Sequence, residues 1–333
     1  MADTSTKSVT ASAEHYATTL PEGRNRPSGS VRGPYEWTLI ALSVIFGLVS
    51  FWFVGTILFK SIPAFKQQGF YLLVGNAWNP TDGTTPSQYG ALSMIIGTVE
   101  TSLIAIVLAG VVGMGTSLAI NFLLPARLRT FVATIVELLA AVPSVVYGIW
   151  GVLVLAPWVA STFGPWLTAL PGGATIFGVS LAGKSLLLAG IVLAVMILPT
   201  FVAISREVIG AVPGELIEAS LSLGATRWQT LWRTVIPTSR IGLFGATTLA
   251  LGRAFGETIA VALVAGGVVQ MNFHPLAQGT SLASFIAGQW GEAEGSDQVP
   301  ALYALGVFLM LFSLAFSLIA NRLVAKQRKA AAL

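Results

Sequence analysis

Long apolar runs, each close to the thickness of a bilayer, alternate along the chain with short polar stretches. Trp37 to Phe59 carries no charged residue and is long enough to cross a hydrocarbon core of ~30 Å with some tilt. Further runs at Met94–Leu124, Phe131–Pro157, Ser185–Ile204, Ile241–Val269 and Ala301–Ala320 predict six membrane-crossing elements in total. Hydrocarbon leaves no partner for a free N–H or C=O, so these runs must be helices, and the expected fold is an all-α polytopic membrane protein. Small residues recur at four-residue spacing, as Ala105, Ala109 and Gly113, then Ala246, Ala250 and Ala254, with Gly252 and Gly256 in a GxxxG spacing. Such stripes predict close helix contacts and carry no information about a substrate.

Composition agrees with the pattern: 54% of the 333 residues are hydrophobic and only 10% charged, against about 25% in soluble domains. The net charge of +4 is spread between the spans, unlike the concentrated basic face that nucleic acid needs. Lys and Arg gather in the N-terminal stretch, at Arg127 and Arg129, in 206–240 and from Arg322 onward, whereas Lys60, Lys66 and Lys184 fall on the opposite side. That asymmetry places both termini in the cytoplasm and turns Glu292, Glu294 and Asp297 outward. Residues 1–36, polar and rich in Ser, Thr, Pro and Gly, read as a disordered cytoplasmic tail, 37–325 as the membrane domain and 326–333 as a C-terminal cytoplasmic tail. A signal peptide does not fit the long polar lead, the length of the first run, or Lys60-Ser61-Ile62-Pro63 after it. With no cysteine, disulfides, thiolate metal sites and a cysteine nucleophile are excluded.

The connection 206–240 has a helical grammar of its own. Pro213 suits a first turn, Glu215 and Glu218 put negative charge near a helix's positive end, and Gly224 offers a left-handed stop. Thr226 with Gln229 predicts a capping box that opens a second short helix, on which Trp228, Leu231 and Trp232 would share one apolar face with Arg227 and Arg233 toward water. From physics alone, this two-helix unit is equally a partner-docking element or an amphipathic element resting on lipid headgroups.

Four ionisable residues fall within spans: Glu100, Glu137, Arg253 and Glu257. A charge at a helix centre costs about 2.5–3.5 kcal/mol, so each should face protein, water or a partner. Arg253 and Glu257, four apart, would lie on one helical face, either as a self-neutralising pair or as an oxyanion site built on the planar guanidinium fork. Pro143 reads as a kink in a pore helix or as an ordinary membrane proline.

Two segments resemble known proteins. Glu218-Ala219-Ser220-x3-Gly224 ending in Ile236-Pro237 is similar to the EAA loop of ABC-importer permeases, with Ser220, Thr234 and Ile236 departing from its pattern. Gly252-Arg253-Ala254-Phe255-Gly256-Glu257-Thr258-Ile259-Ala260-Val261, together with Glu137 to Gly148, resembles the PstC-type permeases of phosphate ABC importers over essentially all of 37–325. The sister PstA-type permease usually continues Glu-Thr with Ala-Pro, unlike Thr258-Ile259-Ala260 here. The resemblance implies half of a phosphate pathway, with Arg253 and Glu257 lining it and Glu218, Ala219 and Gly224 coupling to an ATPase. It also implies a PstA-type partner permease, two PstB-type ATPase subunits, a PstS-type phosphate-binding protein touching outward loops such as 60–93 and 270–299, and a bacterial inner-membrane location. The chain itself would hydrolyse nothing and hold no cofactor. A secondary anion carrier using Glu100 and Glu137 for proton coupling is the alternative, although no inverted repeat is visible. An enzyme is the weakest reading, since no nucleophile and base are grouped.

Gly178 to Ser185 satisfies GxxxxGK[ST], yet it precedes a membrane span and lies in an outward loop, so it is read as no nucleotide site. Lys184 then carries no phosphate. His15 and His274 have no second ligand at metal spacing.

Overall fold

The computed structural model describes residues 33–80, 86–179, 182–293 and 297–331. Of the expected N-terminal tail only 33–36 falls within these, and Pro34 already opens the first helix, α1 (Pro34–Gln68). The chain divides into two units, 1–54 and 55–333. The described part of the first is the leading half of α1, on which Phe46, Phe51 and Trp52 are each more than 70% exposed. An exterior of this kind is stable in lipid, which is as apolar as the side chains themselves.

In the second unit a short helix, α2 (Tyr71–Val74), leads to a two-stranded antiparallel hairpin, β1 (Trp78–Asn79) and β2 (Gln88–Tyr89), with Trp78 opposite Tyr89. There follow α3 (Leu92–Leu118, continued by a wide turn to Leu123), α4 (Ala126–Ala141), α5 (Ser144–Ala169, with wide turns), α6 (Gly173–Phe177) and α7 (Leu186–Gly210). The connection then forms α8 (Gly214–Ser222) and α9 (Arg227–Thr230), and α9 runs through a wide turn into α10 (Ile236–Phe255). Two short helices, α11 (Ile259–Val264) and α12 (Leu282–Gln289), precede the last, α13 (Gln298–Ala331), whose backbone stays helical through most of the expected C-terminal tail.

The core forms around α7, whose Leu188, Val192, Ile197 and Phe201 are buried against α3, α5, α10 and α11. The predicted small-residue stripes lie in these contacts: Ala105, Ala109, Ala246, Ala250 and Ala254 are all buried. At Gly113 a Cβ would stand 2.6 Å from the Phe201 ring, so only glycine lets α3 and α7 approach this closely. Gly252 and Gly256 behave differently. Nothing stands within 4 Å of a Cβ at Gly252, and a Cβ at Gly256 would meet only its own preceding turn at 3.9 Å. Their spacing is therefore not a packing motif.

Two of the six expected spans are broken. Phe131–Pro157 is not one helix, because α4 ends at Ala141 and Val142 and Pro143 are both extended before α5 begins. A residue before proline is disfavoured in the helical region, so Pro143 separates two helices instead of kinking one. Ile241–Val269 stops at Phe255, resumes as α11, and then leaves helix altogether. Residues 264–280 double back over the start of α7, where Val264, Ala277 and Pro275 carbonyls accept from the N–H groups of Ser185, Leu186 and Leu187. Among the described residues five helices are long and apolar enough to cross a membrane: α1, Leu92–Leu123, α5, α7 and Gln298–Arg322. The 20-residue α10 carries Arg240 and Arg253 and is not among them.

Candidate functional site

The chemistry expected of Arg253 and Glu257 depends on the place where α10 ends. Phe255 anchors that end, its ring edge-on to Phe312 at 4.8 Å and Phe316 at 5.1 Å on α13. With Ala254 and Phe255 buried against protein, Arg253 projects from the opposite, exposed side, flanked by the open faces of Gly252 and Gly256. Its Nη1 donates to Thr200 Oγ1 at 3.2 Å, the one hydrogen bond of the guanidinium among the described residues. The other donors of the fork have no partner among the described residues. The guanidinium also acts electrostatically on Tyr147, whose phenol donates to Leu139 O at 2.7 Å across the α4–α5 break.

Glu257 is not on one helical face with Arg253, because the helix has stopped between them. Its Oε1 accepts from Ala260 N at 3.3 Å, which puts a carboxylate at the positive end of α11. Arg253 and Glu257 make no ion pair among the described residues; the pair that does form there is Arg206 with Glu137, 3.5 Å apart. This corrects the expectation of an i,i+4 pair in a continuous span. Glu137 and Glu100 share no interaction: Glu137 faces Arg206, while Glu100 Oε1 is buried on α3 without a hydrogen-bond partner.

The 206–240 connection carries the predicted turn chemistry. At the end of α8, Gly224 is left-handed with φ +85°, Ala225 N donates to Ser220 O at 3.2 Å and Gly224 N to Leu221 O at 2.9 Å, which is the Schellman pattern. Thr226 and Gln229 form the capping box. Ser220, a departure from the EAA pattern, joins the two arms through its hydroxyl, 3.1 Å from that of Thr230. Glu218, Ala219 and Gly224 are exposed, and Leu223 beside them is 90% exposed. The expected common apolar face divides: Leu231 is buried with Leu118 and Val235, whereas Trp228 and Trp232 stand exposed, edge to face at 5.7 Å. Nor is the second helix separate, since it continues into α10.

In the GxxxxGK[ST] match, Ser185 Oγ accepts from Leu188 N at 3.2 Å and so caps α7, and the neighbouring N–H groups are bonded to 264–277. A phosphate would find those donors already taken. The His274 ring bonds Asn272 Oδ1 at 2.5 Å. Sequence reasoning missed Thr200 altogether, and of Tyr147, Glu137 and Arg206 it missed the partners, Arg253 acting on Tyr147 and Glu137 pairing with Arg206. The signal available for Thr200 was a lone hydroxyl following Pro199 in an otherwise apolar run.

Residues 111–329 match the family of binding-protein-dependent transport system inner membrane components. The chain is 39% identical over 261 residues to the phosphate transport system permease protein PstC of Mesorhizobium japonicum, covering 77% of this chain and 78% of that one. It is 35% identical over 315 residues to the PstC of Xylella fastidiosa strain Temecula1, covering 92% and 96%. A probable ABC transporter permease of Bacillus subtilis, YqgH, is 32% identical over 92% of this chain and 94% of its own. In fold, the chain is similar to a bacterial alginate ABC transporter crystallised with its alginate-bound periplasmic protein, with a TM-score of 0.58 at 17% identity over 86% of this chain and 94% of that one.

Proposed function

The chain belongs to the PstC family of phosphate transport system permeases, and from that premise we propose that Arg253 is the group in its translocation pathway that meets the passing oxyanion. The protein is a non-catalytic, multi-pass inner-membrane permease subunit of a phosphate ABC transport system, working with an ATPase and a binding protein of the same system. The observation that carries the proposal is the exposed guanidinium at the end of α10, held at one point by Thr200 and bordered by two glycines that leave its face open. Planar guanidinium forks bind phosphate oxygens through paired charge-assisted hydrogen bonds. Glu257, at the break beside it, tempers the local positive charge so that the anion can leave.

In this reading α10 is the sixth crossing. The cationic connections put both termini and the α8–α9 unit in the cytoplasm, where Glu218, Ala219 and the Gly224 bend engage the ATPase. A PstA-type permease forms the other half of the pathway, two PstB-type subunits supply ATP hydrolysis, and a PstS-type protein delivers phosphate to the outward loops. The test is copurification joined to transport: the tagged permease, gently solubilised and reconstituted, should bring down an ATPase and import phosphate only while that ATPase is active. Phosphate uptake that persists on an ion gradient with the ATPase inactivated would instead favour a secondary carrier.

A further inference from the structure

Beyond Arg253 lies a second set of guanidinium groups. A cleft of about 730 Å³ opens between α4 and the lower half of α7, lined among others by Arg129, Thr130, Thr134 and Glu137 from the one and by Arg206 and Glu207 from the other. It lies on the same helix as the Thr200 that holds Arg253: six residues along α7 from Thr200 to Arg206 is a rise of roughly 9 Å. Thr130, Thr134 and Glu137 follow one another at helical spacing, so α4 presents hydroxyls and a carboxylate as a polar stripe. Asn121 ties the two cationic arms together, its backbone carbonyl accepting from Arg129 Nη2 at 3.4 Å and its side-chain amide donating to Arg206 O at 3.0 Å.

Beyond these contacts Arg129 donates to nothing else among the described residues, and Arg206 only to Glu137. That ion pair is long and loose. At 3.5 Å it exceeds the ~2.7–2.9 Å of a strong charge-assisted bond, and the Glu137 side chain is 66% exposed. Exposed pairs of this kind contribute little to stability, so an incoming anion can displace the carboxylate. Two carboxylates against two guanidiniums also leave the empty cleft without a large net charge, which suits a site that must release its ligand.

We propose that this cleft is a second oxyanion station on the exit side of Arg253, in which Arg206 and Arg129 receive the anion and Glu137 is the counter-ion it displaces. The proposal rests on the phosphate reading above. Its test uses the absence of cysteine from the chain: with Thr134→Cys as the sole thiol of this subunit, labelling by N-ethylmaleimide is followed in inside-out vesicles holding the complete transporter, without ATP. Inorganic phosphate on the cytoplasmic face should slow labelling about fivefold or more, as occupancy at a few times Kd gives, while chloride at equal ionic strength should not. Adding Arg206→Gln should remove the protection, and Arg206→Lys, which keeps the charge without the fork, should weaken it even if the Gln variant fails to assemble. Glu137→Gln should move half-protection to about threefold lower phosphate, the effect of removing a competing partner whose exposed pair is worth about 1 kcal/mol or less. Equal rates in phosphate and chloride, protection unchanged by Arg206→Lys, or a half-protection unmoved by Glu137→Gln would overturn the proposal. Arg253→Gln separates the two readings: it should stop uptake yet leave cytoplasmic protection of Thr134→Cys in place.

Discussion

At the scale of single residues, Arg253 and Glu257 have different partners. Among the described residues the Arg253 guanidinium has one hydroxyl partner and no carboxylate, so it is positioned but not neutralised by them, whereas the Glu257 carboxylate caps α11 at the break in the helix. Thr200→Ala should therefore leave subunit assembly unchanged and raise the phosphate concentration for half-maximal uptake about tenfold, the loss of one hydrogen bond to a charged group. Uptake kinetics identical to the parent would show that Thr200 does not orient Arg253. The residue types were legible in the sequence because charge in an apolar run is costly and has to be explained. Their pairing was not. An i,i+4 spacing implies a shared face only if the helix continues, and nothing in Gly252 to Thr258 other than Gly256 announces that it stops.

At the scale of elements, local grammar was the most readable part. Capping box and left-handed glycine are short-range hydrogen-bond patterns, and the structure has both where the residues predict them. Nothing stands within 4 Å of a Cβ at Gly224, so a substitution there meets only the backbone penalty of a left-handed conformation, about 1–2 kcal/mol for an L residue. Asn tolerates that conformation better than a β-branched residue does. Gly224→Asn should then copurify with the ATPase nearly as the parent does, and Gly224→Val should recover several-fold less at equal membrane abundance. Equal recovery of the two variants would remove the bend from the account of coupling. What the apolar pattern could not convey was the interruption of helices. Hydropathy registers burial in lipid or protein alike, so the α4–α5 break and the return of 264–280 over α7 were absorbed into continuous spans. The residue that marks the first break, Pro143, was visible, and its effect on Val142 is the physical reason for it.

At the scale of the whole molecule, an all-α membrane protein was legible from composition and apolar runs, its reading as a permease came from the resemblance of its motifs, and the position of charges between spans supplied its expected orientation. Because the chain has no cysteine, one thiol at Leu223, exposed between α8 and α9, should be shielded from an impermeant reagent in intact cells, and one at Phe273, exposed between α11 and α12, should be labelled. The reverse result would invert the topology. The claim that Arg253 carries the oxyanion is tested most directly by phosphate uptake, normalised to assembled complex, in Arg253→Gln, Arg253→Lys and the double variant Arg253→Gln with Glu257→Gln. The unpaired geometry predicts uptake abolished in Arg253→Gln, poorly restored by the point charge of Lys, and still absent in the double variant, where the anion has lost its ligand. Recovery of uptake in the double variant would mean that the two charges serve only to neutralise each other, and would contradict the account.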